Sequence, residues 1–142
     1  MTPICPTRLG SLGPMNPGAE GTTYPEVTFV VDTARVAAFR KVFGQEAGVP
    51  PTFLTAAEFA ALPAVLADPN LALDFSRVLH GSQEYDYRRP LLEGESLRVV
   101  ARIGSIRQKG GNGFMTVVMD VFGQDGELAA TATNVMIERG SE

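Results

Sequence analysis

The sequence is poor in the residues that mark several classes of protein. Its single cysteine, Cys5, cannot close a disulfide within the chain, so a reducing cytoplasm is the expected compartment. No apolar stretch approaches the roughly 18 residues of a transmembrane helix, and no basic segment followed by an apolar one predicts a signal peptide. The net charge is −4 without a basic run. Neither a membrane nor nucleic acid is therefore an expected partner.

Side chains that carry chemistry are also scarce. His80 is the only histidine, so no His/Cys cluster predicts a metal site. The glycines of residues 109–113 precede a strand pattern rather than a helix, which favours a hairpin turn over a phosphate cradle. We expect no metal, no cofactor and no catalytic residue of the chain's own.

The chain is long enough for one domain with its own core. Residues 1–23 are rich in proline and glycine and show little hydrophobic periodicity, which predicts a disordered tail. Met15 is an alternative start of the protein. The ordered domain is expected over residues 24–140.

A short strand and a first helix are predicted at the start of this domain. Residues 27–31 form an apolar run typical of a buried strand. Asp32 or Thr33 is suited to cap the helix that follows, and Gly44 to end it. Its apolar side chains share one helical face: Val36, Phe39, Val42 and Phe43.

A second helix is predicted after the Pro50-Pro51 break. Residues 55–58, Thr-Ala-Ala-Glu, have the pattern of a capping box, in which Thr55 and Glu58 satisfy the first backbone N–H groups. Pro63 should kink or shorten this helix. The side chains expected to face the core are Phe59, Leu62 and Leu66.

From Leu79 onward the hydrophobic period changes from that of a helix to that of a strand. In the strand that begins at Leu79, Gln83 and Tyr85 fall on one face and His80 falls on the other. Three further strands are predicted, with hairpin turns at residues 109–113 and 124–127. Their inward rows are expected to be Leu97, Val99, Ala101 and Ile103; then Met115, Val117, Met119 and Val121; then Ala129, Thr131, Thr133, Val135 and Ile137. The predicted order is one strand, two helices and then a series of antiparallel strands. This order predicts an α+β fold in which one sheet wraps a helix.

An ordered set of short segments resembles the N-terminal domain of MaoC-like dehydratases. Residues 50–53 read Pro-Pro-Thr-Phe, and residues 79–91 read Leu-His-Gly-Ser-Gln-Glu-Tyr-Asp-Tyr-Arg-Arg-Pro-Leu. Gly94-Glu95 and the Asp-Gly-Glu-Leu of residues 125–128 follow in the same order. The resemblance covers about residues 24–139. It implies a hot-dog fold and an acyl-thioester substrate.

The catalytic loop of that family is missing here. Catalytic members carry Asp-x-Asn-Pro-x-His between the first and the central helix, where a carboxylate and an imidazole hold a water for addition to the enoyl double bond. In this chain the interval, residues 44–49, contains no His, Asp or Asn. Asp68-Pro69-Asn70 has the wrong order and position, and it predicts a turn.

The candidate binding residues are Gln83, Tyr85 and His80. The first two are implied by their position in the family segment. His80 is either an acid/base or, as we favour, a strand residue that bonds a neighbour or lines an interface. The basic residues Arg88, Arg89, Arg107 and Lys109 are suited to the phosphates of coenzyme A or an acyl carrier protein, although a solvated sheet edge is the simpler interpretation.

The resemblance implies a non-catalytic, substrate-binding subunit of an (R)-specific 3-hydroxyacyl-thioester dehydratase or enoyl-thioester hydratase. A homodimer, or a heterodimer with a catalytic hot-dog subunit, is expected because a short hot-dog leaves strand edges to be covered. The alternatives are a non-enzymatic acyl-thioester-binding module and a hot-dog thioesterase. A thioesterase would use a carboxylate near the central helix, where Glu58 is assigned to capping.

Overall fold

The computed structural model describes residues 15–140, which fold into one antiparallel sheet with helices. The helices and strands are β1 Val27–Val30, α1 Thr33–Phe43, α2 Leu54–Leu66, β2 Val78–Tyr87, β3 Ser96–Lys109, β4 Asn112–Phe122 and β5 Leu128–Glu138. Both helices precede the main run of strands, and short 3₁₀ turns join the elements. The sheet order is β1-β3-β4-β5-β2. The sheet is open, and this architecture confirms the α+β prediction.

Helix α1 begins and ends as its capping residues predict, but its apolar face is only partly buried. The Asp32 carboxylate accepts a hydrogen bond from Arg35 N at 2.9 Å, and Gly44 ends the helix at φ 68°. Phe39 packs edge-on against Phe53 with ring centroids 5.4 Å apart. The last turn extends past this contact, so Phe43, although it lies on the apolar face, is 61% exposed.

Helix α2 differs from prediction at its first turn. A 3₁₀ turn at Pro51–Phe53 leads directly into it, so its N-cap is Phe53 and no side chain caps it. Thr55 lies inside the helix and bonds the Tyr85 hydroxyl instead. The predicted capping box is therefore wrong, and Glu58 is turned toward the sheet with 2% of its surface exposed.

The exposed side of α2 also differs from prediction. Phe59, expected in the core, is 65% exposed, whereas Leu62 is buried as predicted. The helix continues past Pro63 to Leu66, so the proline does not end it there.

The inward rows of β3 and β4 are confirmed, and that of β5 is wrong by one residue. Val121 pairs with Ala130 but Phe122 pairs with Leu128, so Ala129 is an extra residue in the ladder. Such a bulge moves all later side chains to the opposite face. The buried row of β5 beyond the bulge is consequently Ala130, Ala132, Asn134 and Met136.

The segment before β1 corrects the expected tail. Residues 1–14 of that tail lie outside the described residues, but residues 15–23 pack on the domain. Met15 is 1% exposed, and Asn16 N donates to Leu71 O at 3.0 Å. Gly21 N donates to Ile103 O at 2.8 Å. The packing of residues 15–23 could not be predicted from periodicity, because a 3₁₀ turn and isolated contacts hold the segment. Such contacts produce no repeating pattern in the sequence.

A part-buried ion pair fixes the turn before β3. The Glu95 carboxylate accepts from Arg89 Nη1 and Nη2 at 3.0 and 2.7 Å and from Leu92 N at 2.5 Å. Burial raises the pKa of Glu95, but the hydrogen bonds from Arg89 and Leu92 outweigh it and leave the pKa lowered.

Glu95→Gln should therefore lower the free energy of unfolding at pH 7 by about 1–2 kcal/mol, since one charge-assisted pair is lost. A carboxyl with a lowered folded-state pKa contributes stability above its unfolded pKa, and the contribution disappears as the pH falls through the folded pKa. Urea unfolding at pH 7 and in acid measures both effects. The exposed Glu127→Gln is the control, and an equal difference at every pH would contradict the prediction.

Candidate functional site

A cavity of about 580 Å³ lies between α2 and the β5–β2 end of the sheet. Its volume is within the range of small-molecule sites, roughly 300–1,000 Å³. Its apolar lining includes Leu62 from α2 and Met136 from β5. The polar lining consists of Thr52, Thr55, Glu58, His80, Gln83, Tyr85 and Asn134.

A bulge in β2 brings all three sequence-predicted binding residues to this cavity. His80 pairs with Met136, Gln83 with Asn134 and Tyr85 with Ala132, so their partners alternate along one face of β5. The pairing shifts between His80 and Ser82. The prediction that His80 faces away from Gln83 and Tyr85 is therefore wrong.

Gly81 provides the room for this bulge. A β-carbon at this position would stand 2.9 Å from Ile137 Cδ1, closer than real β-carbons approach, and 3.1 Å from Val135 O, which is also a tight contact. An interior strand glycine is a recognised sign of a bulge, and it was the available sequence signal for the position of His80.

Hydrogen bonds orient most of the polar side chains. Asn134 Nδ2 donates to Gln83 Oε1 at 3.0 Å, and Gln83 Nε2 donates to Thr133 O at 3.3 Å. Burial raises the pKa of Tyr85 to about 12, so the phenol stays protonated near neutral pH and pairs with the Thr55 hydroxyl. This arrangement presents fixed donors and acceptors to a cavity that also has apolar lining.

Glu58 is the functional candidate that sequence reasoning set aside. Neither of its carboxylate oxygens has a hydrogen-bond partner among the described residues, and Asn134 Oδ1 has none either. Burial raises the pKa of Glu58, although nearby Tyr85 and Gln83 favour its charged form. The signal was its helical spacing, because Glu58 falls in phase with the buried Leu54 and Ala61.

The segment that would hold the family's acid–base pair offers no such pair. This segment connects α1 to the Pro51–Phe53 turn. Arg40 Nη1 stabilises it by donating a hydrogen bond to Gly48 O at 3.1 Å. Asp68-Pro69-Asn70 forms the predicted turn, with Asp68 capping a 3₁₀ helix at Pro69–Leu71. Nothing in either segment brings a histidine beside a carboxylate.

The basic residues proposed for phosphate binding are not equivalent. Arg89 is engaged by Glu95, and Arg88 lies 4.0 Å from Asp86 at the exposed surface. Arg107 and Lys109 are exposed near the end of β3. They do not form one cluster with the cavity.

The described part of the chain has neither a candidate metal site nor a candidate membrane span. Over residues 15–140 no group of three or more His, Cys, Asp or Glu side chains is placed to hold a metal ion. None of the helices in that range is long and apolar enough to cross a membrane.

Comparison by sequence identifies related proteins. A family model described as FAS1-like, dehydratase domain region, matches residues 19–132. A UPF0336 protein of Saccharopolyspora erythraea is 39% identical over 65% of this chain and 59% of its own length. Another, from Streptomyces avermitilis, is 41% identical over 66% of this chain and 62% of its own length. The match to these two relatives thus spans about three fifths of their length. A UPF0336 protein of Leifsonia xyli is 28% identical over 91% of this chain and 99% of its own length.

Comparison by structure identifies the fold. The C-terminally truncated HadBC (3R-hydroxyacyl-ACP dehydratase) complex of Mycobacterium tuberculosis matches with a TM-score of 0.69 and 19% identity, over 84% of this chain and 96% of the other. A MaoC-like dehydratase matches with a TM-score of 0.76 and 15% identity, over 87% and 43%. These similarities confirm the hot-dog fold and the resemblance to MaoC-like dehydratases.

Proposed function

The chain belongs to the FAS1-like dehydratase domain region family, and on that premise we propose that it is the substrate-binding, non-catalytic subunit of a 3-hydroxyacyl-thioester dehydratase. The enzyme would interconvert (R)-3-hydroxyacyl and enoyl thioesters of coenzyme A or an acyl carrier protein. This chain would receive the acyl group in the cavity, and a second hot-dog subunit would supply the carboxylate and the imidazole.

One observation carries the proposal: a cavity of substrate size stands beside a loop without acid or base. Dehydration needs a group that protonates the leaving hydroxyl and one that accepts the proton from the neighbouring carbon. His80 lies on β2, at the edge of the sheet, rather than on the α1–α2 loop where the family places its pair. In the proposed enzyme this chain would therefore supply the binding half of the site, and its partner the catalytic half.

The edge of the sheet supports the proposed partner. Strand β2 is the last in the sheet order, so its outer edge has unpaired backbone groups within the described residues. Such an edge tends to pair with another strand. Three side chains of β2, His80, Gln83 and Tyr85, line the cavity, so a second hot-dog paired to this edge would lie close to the same site. The HadBC and ChsH1-ChsH2 neighbours are both named as complexes.

Enzyme assays of the chain with and without a partner test the proposal. Alone, the chain should not hydrate crotonyl- or longer enoyl-coenzyme A above background. With a hot-dog subunit that carries Asp-x-Asn-Pro-x-His, hydration should rise by at least about 100-fold over either subunit alone. Hydration by the chain alone would overturn the proposal. Binding of acyl-coenzyme A without activity in any combination would favour the non-enzymatic binding module.

His80→Ala in that complex should reduce turnover by less than tenfold, because a general acid or base typically contributes about 10²–10⁴-fold. Steady-state rates with enoyl-coenzyme A measure the effect, and loss of the partner's loop histidine provides the comparison. A loss above 100-fold on His80→Ala alone, with the complex still assembled, would make His80 the acid/base.

The position of Glu58 favours a second candidate, hydrolysis of an acyl thioester. A carboxylate on the central helix beside a cavity is suited to accept the proton of a water that attacks the thioester carbonyl, and the thiol then leaves. The capping role that argued against this function is absent. Release of free coenzyme A by the chain alone, abolished by Glu58→Gln, would support the thioesterase. No release above background would exclude it.

A further inference from the structure

The outer edge strand β2 carries negative charge at positions that a pairing strand would meet. Glu84 and Asp86 lie on the face of β2 away from the cavity, and both side chains are exposed. Across β5 they stand opposite Thr133 and Thr131, which are neutral. Among the described residues Glu84 forms no ion pair, and Arg88 approaches Asp86 only to 4.0 Å, with both side chains more than half exposed. The middle of this edge is therefore acidic.

The regular part of β2 limits how another strand can pair with it. The ladder with β5 is shifted between His80 and Ser82, and β2 ends at Tyr87. A bulge bends a strand and interrupts its pairing. A second edge strand would therefore pair with residues 82–87, where the side chains on the face away from the cavity are Ser82, Glu84 and Asp86.

A second copy of this chain fits that edge poorly. When two copies pair around a two-fold axis with both α2 helices on one side, their β2 strands are antiparallel and the same residues meet from both sides. An axis beside Tyr85 sets Glu84 against Asp86 twice, and an axis beside Glu84 sets Glu84 against itself. These two registers pair the largest part of residues 82–87. An axis beside Asp86 pairs only the end of the strand and still opposes two carboxylates. Like charges directly opposite each other destabilise a strand pair.

We propose that β2 pairs with a different hot-dog chain, whose edge strand carries Lys or Arg at two positions separated by one residue, opposite Glu84 and Asp86. The proposal rests on the proposed function, since it specifies the chemistry of the partner subunit at this edge. Opposite charges at facing positions stabilise a strand pair, and the same two acids penalise self-pairing. Backbone hydrogen bonds are available to any edge strand, so charge is what selects the partner.

Sedimentation velocity of the full chain and its charge variants tests this selection. Glu84→Lys/Asp86→Lys reverses the charge of the edge, and Glu46→Lys/Glu127→Lys changes the net charge equally at exposed positions outside β2. We expect the wild type and the edge variant each to remain monomeric at micromolar concentration. Their equimolar mixture should form a heterodimer at least about tenfold more tightly than either chain self-associates. The wild type mixed with the Glu46/Glu127 control should remain monomeric.

Salt dependence and hydrogen exchange show whether charge at β2 causes the association. The mixed dimer should weaken between about 0.01 M and 1 M ionic strength, because the Debye length falls from about 30 Å to about 3 Å. Amide exchange should slow in β2 on mixing and stay unchanged in β1, the other edge strand. The neutral variant Glu84→Gln/Asp86→Asn retains the shape of both side chains and should self-associate more tightly than the wild type at low salt. Thermal unfolding establishes that each variant is folded.

Three results would overturn the proposal. A tight wild-type dimer at low salt with β2 protected from exchange would identify a second copy as the partner. No association between the wild type and the edge variant would show that charge is not what prevents self-pairing. Equal association with the Glu46/Glu127 control would assign the effect to net charge. The proposed function fails separately: selective pairing without hydration in any combination rejects the enzyme, and hydration with a catalytic subunit despite a wild-type homodimer rejects only the selection by charge.

Discussion

Met15→Ala is expected to lower the free energy of unfolding by about 2–5 kcal/mol, the usual cost of truncating a buried methionine. Met15 is 1% exposed, and its Cε stands only 2.7 Å from where a β-carbon at Gly113 would be. The side chain therefore fills space that this glycine leaves free. A disordered tail over residues 1–23, which the composition predicts, would instead show no effect.

Chemical denaturation followed by circular dichroism measures the loss. Met15→Leu is the matched control, because it conserves volume and should cost less than about 1.5 kcal/mol. If both variants are as stable as the wild type, the segment at residues 15–23 does not contribute to the core.

Glu58→Gln is expected to raise the free energy of unfolding at pH 7 by about 1–3 kcal/mol, since it removes a buried carboxylate without a partner. The effect should depend on pH. Burial raises the pKa of Glu58, so its protonated form is favoured in the folded state. The stability that the wild type gains from a protonated Glu58 is fully present below the unfolded-state pKa of this carboxyl. It is lost as the pH rises through the folded-state pKa. The advantage of the glutamine variant should therefore shrink in acid.

Urea unfolding of the wild type and the variant between acid and neutral pH measures this dependence. Glu95→Gln is the informative comparison, because the Glu95 pKa is lowered and its contribution changes with pH in the opposite direction. A stability difference between Glu58→Gln and the wild type that does not vary with pH would contradict a raised pKa. A less stable variant at pH 7 would show that Glu58 has a compensating partner.

The Glu58 prediction also bears on function, because Glu58 lines the candidate binding cavity. A carboxylate that lowers stability in a ligand-sized cavity is typical of a site where binding is favoured at the expense of folding. If Glu58→Gln is both more stable and weaker in binding an acyl thioester, a single residue accounts for both effects.

Local patterns determined much of the architecture. The alternation in β3 and β4 depends on neighbours two residues apart, so it predicted their buried faces correctly. The cap at Asp32 and the left-handed Gly44 involve only adjacent backbone groups, and these ends of α1 were predicted too. The missing acid–base pair in the α1–α2 loop is likewise a property of the residues themselves.

Tertiary structure decided the composition of the site. The extra residues at Gly81 and Ala129 change which side chains face α2, and a period of two cannot reveal a shift set by pairing with a neighbouring strand. Thr55 and Glu58 match a capping box in sequence, but the Pro51–Phe53 turn already supplies the start of α2. Glu58 consequently lines the same cavity as His80 and Asn134, because packing the helix on the sheet brings together residues that are far apart in the chain.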